Sequence, residues 1–438
     1  MNKVEPRTLP GFMELYPHEQ LEFDRIKNTI IETYKNYGFF PLDTPVIEYS
    51  EVLLAKAGGE TEKQIYRFMK GENDLSLRFD LTVPLSKYVA KRHNELTFPF
   101  KRYQIGKVYR GERQQKGRYR EFYQCDIDVI GDEELSIKYD SEMPSIIYDI
   151  FKKLNIGEFV IRINNRKVLG GFFNSLNLKD KITDILRIID KIDKIGEEAV
   201  KKELTELSLT DEQINKTLNF IKIEGTNQEK LRVLKEMNIE DEMFNLGIIE
   251  LENVIDDLKA RRISSENYEI DLTIARGLDY YTGTVYETFL KEHMNLGSVC
   301  SGGRYDNLAE YYTEKKLPGV GISIGLTRLF FLLTENNIVN TDKSSPSDIL
   351  IIPMCDNYEY IYEIRDILIN QGITTNICYL DKGMKQKMKY ANKLRTKYVV
   401  IIGEDEVSTN TIVLKNMYEG IQFNLTREEL NNIKQTYF

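Results

Sequence analysis

Tryptophan is absent from this chain, and histidine and cysteine are scarce, at three and four residues. His18, His93 and His293 show no ligand spacing, so they read as solvated or capping residues and metal ligation by protein side chains is not expected. Cys125, Cys300, Cys355 and Cys378 lie too far apart for a zinc site or a disulfide framework. They read as reduced, mostly buried thiols, and the compartment as cytoplasmic. No apolar run approaches the roughly 20 residues that span a bilayer, so no membrane partner is expected. The opening "MNKVEPRTLPGFMELYP" has neither an apolar core nor a cleavage signature of a secretory leader. Glycine and proline are both low, which excludes a low-complexity chain.

What is present fits a folded protein, 41% hydrophobic and 29% charged. Its 438 residues exceed one ordinary core and predict two or three domains. A net charge of −9 argues against a protein that coats nucleic acid over its whole surface, but leaves room for a local basic footprint. The abundance of Tyr, Ile, Lys and Asn carries no function.

Residues 18–37 place Leu21, Ile26, Ile30 and Tyr34 near helical spacing, and Gly38 closes the segment. An extended piece broken by Pro41 and Pro45 leads into a short helix. From 75 to 130 the pattern is strand-like, in "LSLRFDLTVPL", "FPFKRYQIGKVYR" and "EFYQCDIDVIG", with a basic hairpin loop "GERQQKGRYR" between the last two. Residues 133–154 return to helix. From about 175 to 260, Lys, Glu, Ile and Leu recur at helical spacing with almost no glycine, the mark of a helical insertion. Strand character resumes near 268, and "GVGISIGLTRLFFLL" reads as a strand entering a buried helix. A Ser/Asn/Asp/Pro linker follows. "ILIIPM", "ITTNICYL", "KYVVIIG" and "TIVLKNM" then alternate with helices, predicting a small α/β domain with a largely parallel sheet.

Four constellations carry chemistry. Period two places Gln124, Asp126 and Asp128 on one face of a strand, and Arg110 is expected to face Gln124 and Asp128 across the hairpin. An arginine fork beside amide and carboxylate groups suits a ligand with an anionic and an N–H-bearing part, although an exposed ion-paired hairpin has the same pattern. In "LRFDLTVPL", read as a strand, Asp80 and Thr82 project together and Leu81 opposite; a polar edge strand looks alike. "IARGLDYYTGTVYE" crowds Arg276, Asp279, Tyr280 and Tyr281 between Gly277 and Gly283, and "CSGGRYD" sets Gly302 and Gly303 before Arg304. Both permit close backbone approach to a small ligand. Arg328 sits in an otherwise apolar helix and needs an anion, from the protein or from a ligand.

Taken together, these segments match one family in order and spacing. "RGLDYY" and "GGRYD", with "VYRGERQQKGRYREFYQ", "GLTRL" and the Pro45 segment as the three class II motifs, resemble the histidyl-tRNA synthetases of the class II aminoacyl-tRNA synthetases. The resemblance runs over nearly the whole chain. "DLT" at 80–82 is the form usual in eukaryotic and archaeal members, where many bacterial ones have Glu-Gly-Thr.

The resemblance implies an α+β class II catalytic domain built on an antiparallel sheet (residues 1–174 and 263–335), interrupted by a helical insertion (175–262). A linker (336–347) leads to a C-terminal α/β anticodon-binding domain (348–438). It implies activation of L-histidine with ATP to histidyl-adenylate and pyrophosphate, then transfer to tRNA(His), by a homodimer, with Mg2+ accompanying ATP. It gives Arg110 and Arg276 catalytic roles at the α-phosphate. Asp80, Leu81, Thr82, Gln124, Asp128, Tyr280 and Tyr281 would bind histidine, with Asp80 and Thr82 on the amino group and Asp128 and Tyr281 on the imidazole. Arg110, Arg113, Arg276 and Arg328 would bind ATP, and Arg113 and Gln115 would meet the tRNA acceptor. Two other readings stand beside it: a regulatory subunit of ATP phosphoribosyltransferase on the same fold, which charges no tRNA, and a non-catalytic RNA-binding or scaffold protein.

Overall fold

The computed structural model describes residues 3–55, 60–113, 117–274, 281–306, 309–339, 341 and 345–437. Two compact units emerge, residues 26–338 with 1–14, and residues 339–438 with 15–25.

In the larger unit eleven strands are described: β1 (Phe40–Pro41), β2 (Ile47–Tyr49), β3 (Arg67–Lys70), β4 (Asn73–Leu77), β5 (Phe100–Tyr109), β6 (Glu121–Ile130), β7 (Phe159–Asn165), β8 (Tyr268–Ile270), β9 (Thr284–Leu290), β10 (Cys300–Tyr305) and β11 (Gly319–Gly325). Eight form one sheet in the order β1-β5-β6-β11-β10-β9-β7-β8, while β2, β4 and β3 form a separate small sheet. The large sheet is antiparallel from β5 to β7 and parallel only at its two edges, β1 with β5 and β7 with β8. Alternation along β6 explains its two faces. Cys125, Ile127 and Val129 are fully buried among apolar residues, while Gln124, Asp126 and Asp128 point the other way.

A helix Pro17–Asn36 ends at Gly38, whose φ of +78° is a conformation that glycine adopts without strain. Ile26, Ile30 and Tyr34 are fully buried, and the Tyr34 hydroxyl donates to the Cys125 carbonyl at 3.0 Å. Between β7 and β8 every regular element among the described residues is helical. The helix Glu242–Ala260 packs on the helix Arg166–Ser175 closely enough that a Cβ on Gly171 would lie 2.5 Å from Phe244, and one on Gly247 would lie 2.6 Å from the Val168 nitrogen.

The smaller unit contains β12 (Ile349–Pro353), β13 (Thr375–Ile377), β14 (Tyr398–Ile402), β15 (Thr411–Asn416) and β16 (Gln422–Thr426), in the order β13-β12-β14-β15-β16. The expected largely parallel sheet is mixed. β12 runs parallel to β13 and β14, whereas β15 and β16 add antiparallel neighbours. The helix Met384–Leu394 and its flanks expose Lys382, Lys385, Lys389, Lys393, Arg395 and Lys397. Lys387 of the same run departs from the pattern, because its Nζ donates to the Pro353 carbonyl at 2.6 Å. No helix among the described residues is long and apolar enough to cross a membrane.

Candidate active site

The polar face of β6 forms the floor of two adjoining cavities. The smaller, about 190 Å³, is lined by Asp80, Thr82, Arg110, Gln124, Asp126, Asp128, Tyr281, Ser301, Tyr305, Gly321, Ile322 and Ser323. The larger, about 300 Å³, is lined among others by Arg110, Glu112, Arg118, Phe122, Gln124 and Arg328. Arg110, Gln124, Ser301 and Ser323 line both.

Glycine makes the floor low. At Gly321, opposite Asp128 in the β6–β11 register, a Cβ would lie 2.2 Å from Asp128 Oδ1. At Gly303 it would lie 2.8 Å from the Tyr281 ring. A side chain at Gly321 would intrude on the cavity that it lines, and one at Gly303 would displace the Tyr281 ring beside it.

The expected strand "LRFDLTVPL" is not one throughout. β4 ends at Leu77, and a helix begins at Thr82 and runs to Arg92. Asp80 Oδ1 accepts from the N–H groups of Thr82 and Val83, at 3.1 and 2.9 Å, and so caps that helix. Asp80 and Thr82 still meet at the cavity, through helix capping rather than pleat alternation. Leu81 is fully buried behind them and lines neither cavity.

Register also corrects the partner of Asp128. Across the hairpin Gln124 faces Gly106, and Asp128 faces Arg102, while the Arg110 nitrogen bonds the Arg120 carbonyl. Arg102 and Asp128 form an ion pair at 2.6 Å with side chains 0% and 7% exposed. The Tyr305 hydroxyl donates to Asp128 Oδ1 at 2.9 Å. Burial pushes the Asp128 carboxyl above its ordinary range while Arg102 and Tyr305 pull it down. Burial likewise raises Asp126 to about 7, against Arg102 and a hydrogen bond from Ser323. The hydroxyls of Tyr281 and Tyr305 are raised by burial and stay protonated as donors.

Arg110 reaches the cavities from the end of β5. Its guanidinium lies over the rings of Phe79 and Phe122, at 4.4 and 5.0 Å, and its Nε donates to the Phe79 carbonyl at 3.2 Å. Stacking fixes the fork in place before any anion arrives. Arg328 is half-buried on the helix Leu326–Glu335, donates to the Leu296 carbonyl and lines the larger cavity. Arg113 is exposed and lines neither cavity. Arg276, Tyr280 and Gln115 lie outside the described residues.

Several residues with no role in the sequence reading prove central to the geometry: Arg102, Asp126, Ser301, Tyr305 and Ser323. Asp126 was readable from period two, and Tyr305 from its place in "GGRYD". Arg102 carried no signal, since "FKRYQIGKVYR" holds four basic residues and only register distinguishes them. Arg304 is structural, with Nε and Nη2 on Asp140 at 3.0 and 2.6 Å in a buried pair.

The chain is similar over nearly its whole length to known proteins. A protein of Clostridium tetani called histidine–tRNA ligase is 56% identical over 97% of each chain. The crystal structure of histidyl-tRNA synthetase from Nostoc sp. PCC 7120 superposes with a TM-score of 0.92 at 41% identity, covering 99% of this chain and 100% of that one. An ATP phosphoribosyltransferase regulatory subunit/histidyl-tRNA synthetase from Bacillus halodurans shares the fold, with a TM-score of 0.74 at 19% identity over 89% of this chain and 97% of that one. The sequence model of the anticodon binding domain matches residues 348–435, within the smaller unit. The model named histidyl-tRNA synthetase matches residues 11–329, which hold the whole sheet and both cavities, and the chain belongs to that family.

Proposed function

We propose that the chain is a histidine–tRNA ligase, which joins L-histidine to ATP as histidyl-adenylate and then to the 3′ end of tRNA(His). The observation that carries this reading is Arg110, whose guanidinium lies over two phenyl rings and lines both cavities. An amino acid in the smaller cavity and a nucleotide in the larger would bring carboxylate and α-phosphate together beside one fixed guanidinium. A carboxylate oxygen attacks the α-phosphorus, the bond to the bridging oxygen breaks, and pyrophosphate leaves. The repulsion between two anions is the main obstacle, so a cation placed beforehand is the main source of catalysis. Arg276 would join Arg110 there, Arg328 would hold the far phosphates, and Arg113 would meet ATP close to the loop contacts. Mg2+ would arrive on the phosphate oxygens of ATP. Glu112 in the larger cavity is the nearest fit for a protein contact, and no cluster of three or more metal-ligating side chains occurs among the described residues.

In the smaller cavity Asp80 and Thr82 would take the amino group, and Asp128 with Tyr281 the ring, with Tyr280 and Gln124 beside it and Leu81 behind. A rival side chain lacking ring nitrogens would leave buried polar groups unpaired, which is the basis of selectivity. Arg113 and Gln115 belong to the hairpin that would receive the tRNA end. We assign residues 1–174 and 263–335 to catalysis, 175–262 to the insertion, 336–347 to the linker and 348–438 to the anticodon, in a cytoplasmic enzyme.

We infer a homodimer from the first motif region. The helix before Gly38 spends Ile26, Ile30 and Tyr34 in its own core. Phe40, Val46, Ile47 and Tyr49, by contrast, expose 38–67% of their surface along the segment that follows and suit a second copy. Sedimentation finding a fully active monomer would refute the dimer.

Histidine-dependent ATP–pyrophosphate exchange tests the whole reading. A regulatory paralogue or a scaffold protein would show none.

A further inference from the structure

One carboxylate in the smaller cavity is left without a task. Asp126 is 3% exposed and lines that cavity between Gln124 and Asp128. Its cross-strand neighbours are Gln104 on β5 and Ser323 on β11. Gln104 spends its amide elsewhere, donating to Asp43 at 2.8 Å and Thr44 at 3.1 Å. Ser323 serves one oxygen of Asp126 and accepts from Gln124 Nε2 at 2.8 Å. Arg102 lowers the Asp126 carboxyl through its charge, but its Nη2 pairs with Asp128 and its Nε and Nη1 make no hydrogen bond to Asp126. Asp126 Oδ1 therefore has no hydrogen-bond partner among the described residues. A buried, unsatisfied carboxylate oxygen is costly unless a ligand completes it.

Resting on the functional reading above, we propose that Asp126 binds the α-ammonium of the amino acid substrate, with Oδ1 accepting one of its three N–H bonds. Two observations fix that end of the substrate. Asp126 stands two residues from Asp128, one pleat or about 7 Å along β6, in the direction of Gln124 and Arg110. A ring held at Asp128 and Tyr281, with a carboxylate directed to Arg110, leaves the α-carbon and its ammonium above Asp126. The acceptor count agrees. Asp80 Oδ1 already serves two backbone N–H groups, so Asp80 and the Thr82 hydroxyl leave one of the three donors for a further acceptor. Among the described residues that line the cavity, Asp80, Asp126 and Asp128 stand against Arg110, a setting that favours a cationic group.

The test compares two ligands on the full-length protein by calorimetry. Histidinol keeps the ammonium and the ring, and 3-(imidazol-4-yl)propionate keeps the ring and the carboxylate. Asp126→Asn should weaken histidinol by about tenfold or more, the range for hydrogen bonds to charged groups, while leaving the propionate nearly unchanged. Equal weakening of both ligands would make Asp126 a merely structural residue, and unaltered histidinol binding would remove it from the ammonium site; either overturns the proposal. If Asp126→Asn does not fold, as judged by circular dichroism, Asp126→Ser is measured against the same two ligands. If the unaltered protein bound neither ligand and lacked histidine-dependent exchange, the functional reading itself would fall.

Discussion

Replacing Arg102 with methionine gives the sharpest test of how this sheet carries its charges. The guanidinium is fully buried, and its partner Asp128 is 7% exposed at 2.6 Å. Removing one member of such a pair strands the other, which typically costs about 3–5 kcal/mol, a large part of a domain's stability. The loss should depend on pH in a definite direction. Burial already raises the Asp128 carboxyl while Arg102 lowers it, so losing Arg102 raises it further. A carboxyl raised in the folded state binds its proton there more tightly than in the unfolded chain, so the variant regains stability as pH falls. It bears the full deficit above the raised folded value, and the recovery is bounded by about 1.4 kcal/mol per pH unit. Asp128→Asn alone leaves Arg102 stranded instead and should show a similar deficit without that recovery. The double variant removes both charges and should return close to the parent. Urea unfolding followed by far-UV circular dichroism at pH 6 and 8 reads all three, since the chain has no tryptophan to report by fluorescence. Single variants within about 1 kcal/mol of the parent would mean that the pair behaves like an exposed one, and the reasoning would fail.

Gly321→Ala places a methyl against Asp128 Oδ1, so the Michaelis constant for histidine should rise well above that for ATP; an equal rise in both would point to a general distortion of β11. Arg276→Ala should leave the fold intact and slow pyrophosphate exchange about 10²- to 10³-fold, the usual cost of one lost contact to a developing anion. Rates within a few fold of the parent would withdraw Arg276 from the reaction. A chain ending near Asn340 should keep histidine-dependent exchange but lose most charging of full-length tRNA, increasingly so at higher salt, because the exposed lysines of 382–397 go with it. Undiminished charging would give the C-terminal unit some other role.

Much of this arrangement was legible in advance because its signals are local. Period two on β6 is a property of one strand, and so the common face of Gln124, Asp126 and Asp128 is visible without knowing the fold. The Asp80–Thr82 segment shows the limit of such reasoning. An acid two residues before a threonine fits a strand face and a helix cap equally well, and the choice falls to tertiary context. Arg102 required the β5–β6 register, set by the whole hairpin rather than by any short motif. β16 was missed because "QFNLT" is short and polar, a strand only by virtue of pairing with β15. Arg113 was assigned through a motif, which specifies residue type but not the loop conformation that brings the side chain to a ligand.

The parallel pairing of β7 with β8 has an evolutionary consequence. The chain leaves the sheet after Asn165 and re-enters at Tyr268 on the adjacent strand, in register from Ile161 with Tyr268 to Ile163 with Ile270. Both ends of the helical excursion are thus anchored on neighbouring strands at one edge of the sheet, offset by roughly 13 Å along the strand direction and far from β5 and β6 in strand order. A parallel connection demands a crossover of a dozen residues or more but sets no upper limit, and lengthening it adds little entropic cost. The closely packed helices 166–175 and 242–260 can supply that minimum by themselves. Everything between them is free to grow, shrink or be exchanged across lineages while the catalytic floor keeps its register, which makes this edge the natural place for the family to diversify.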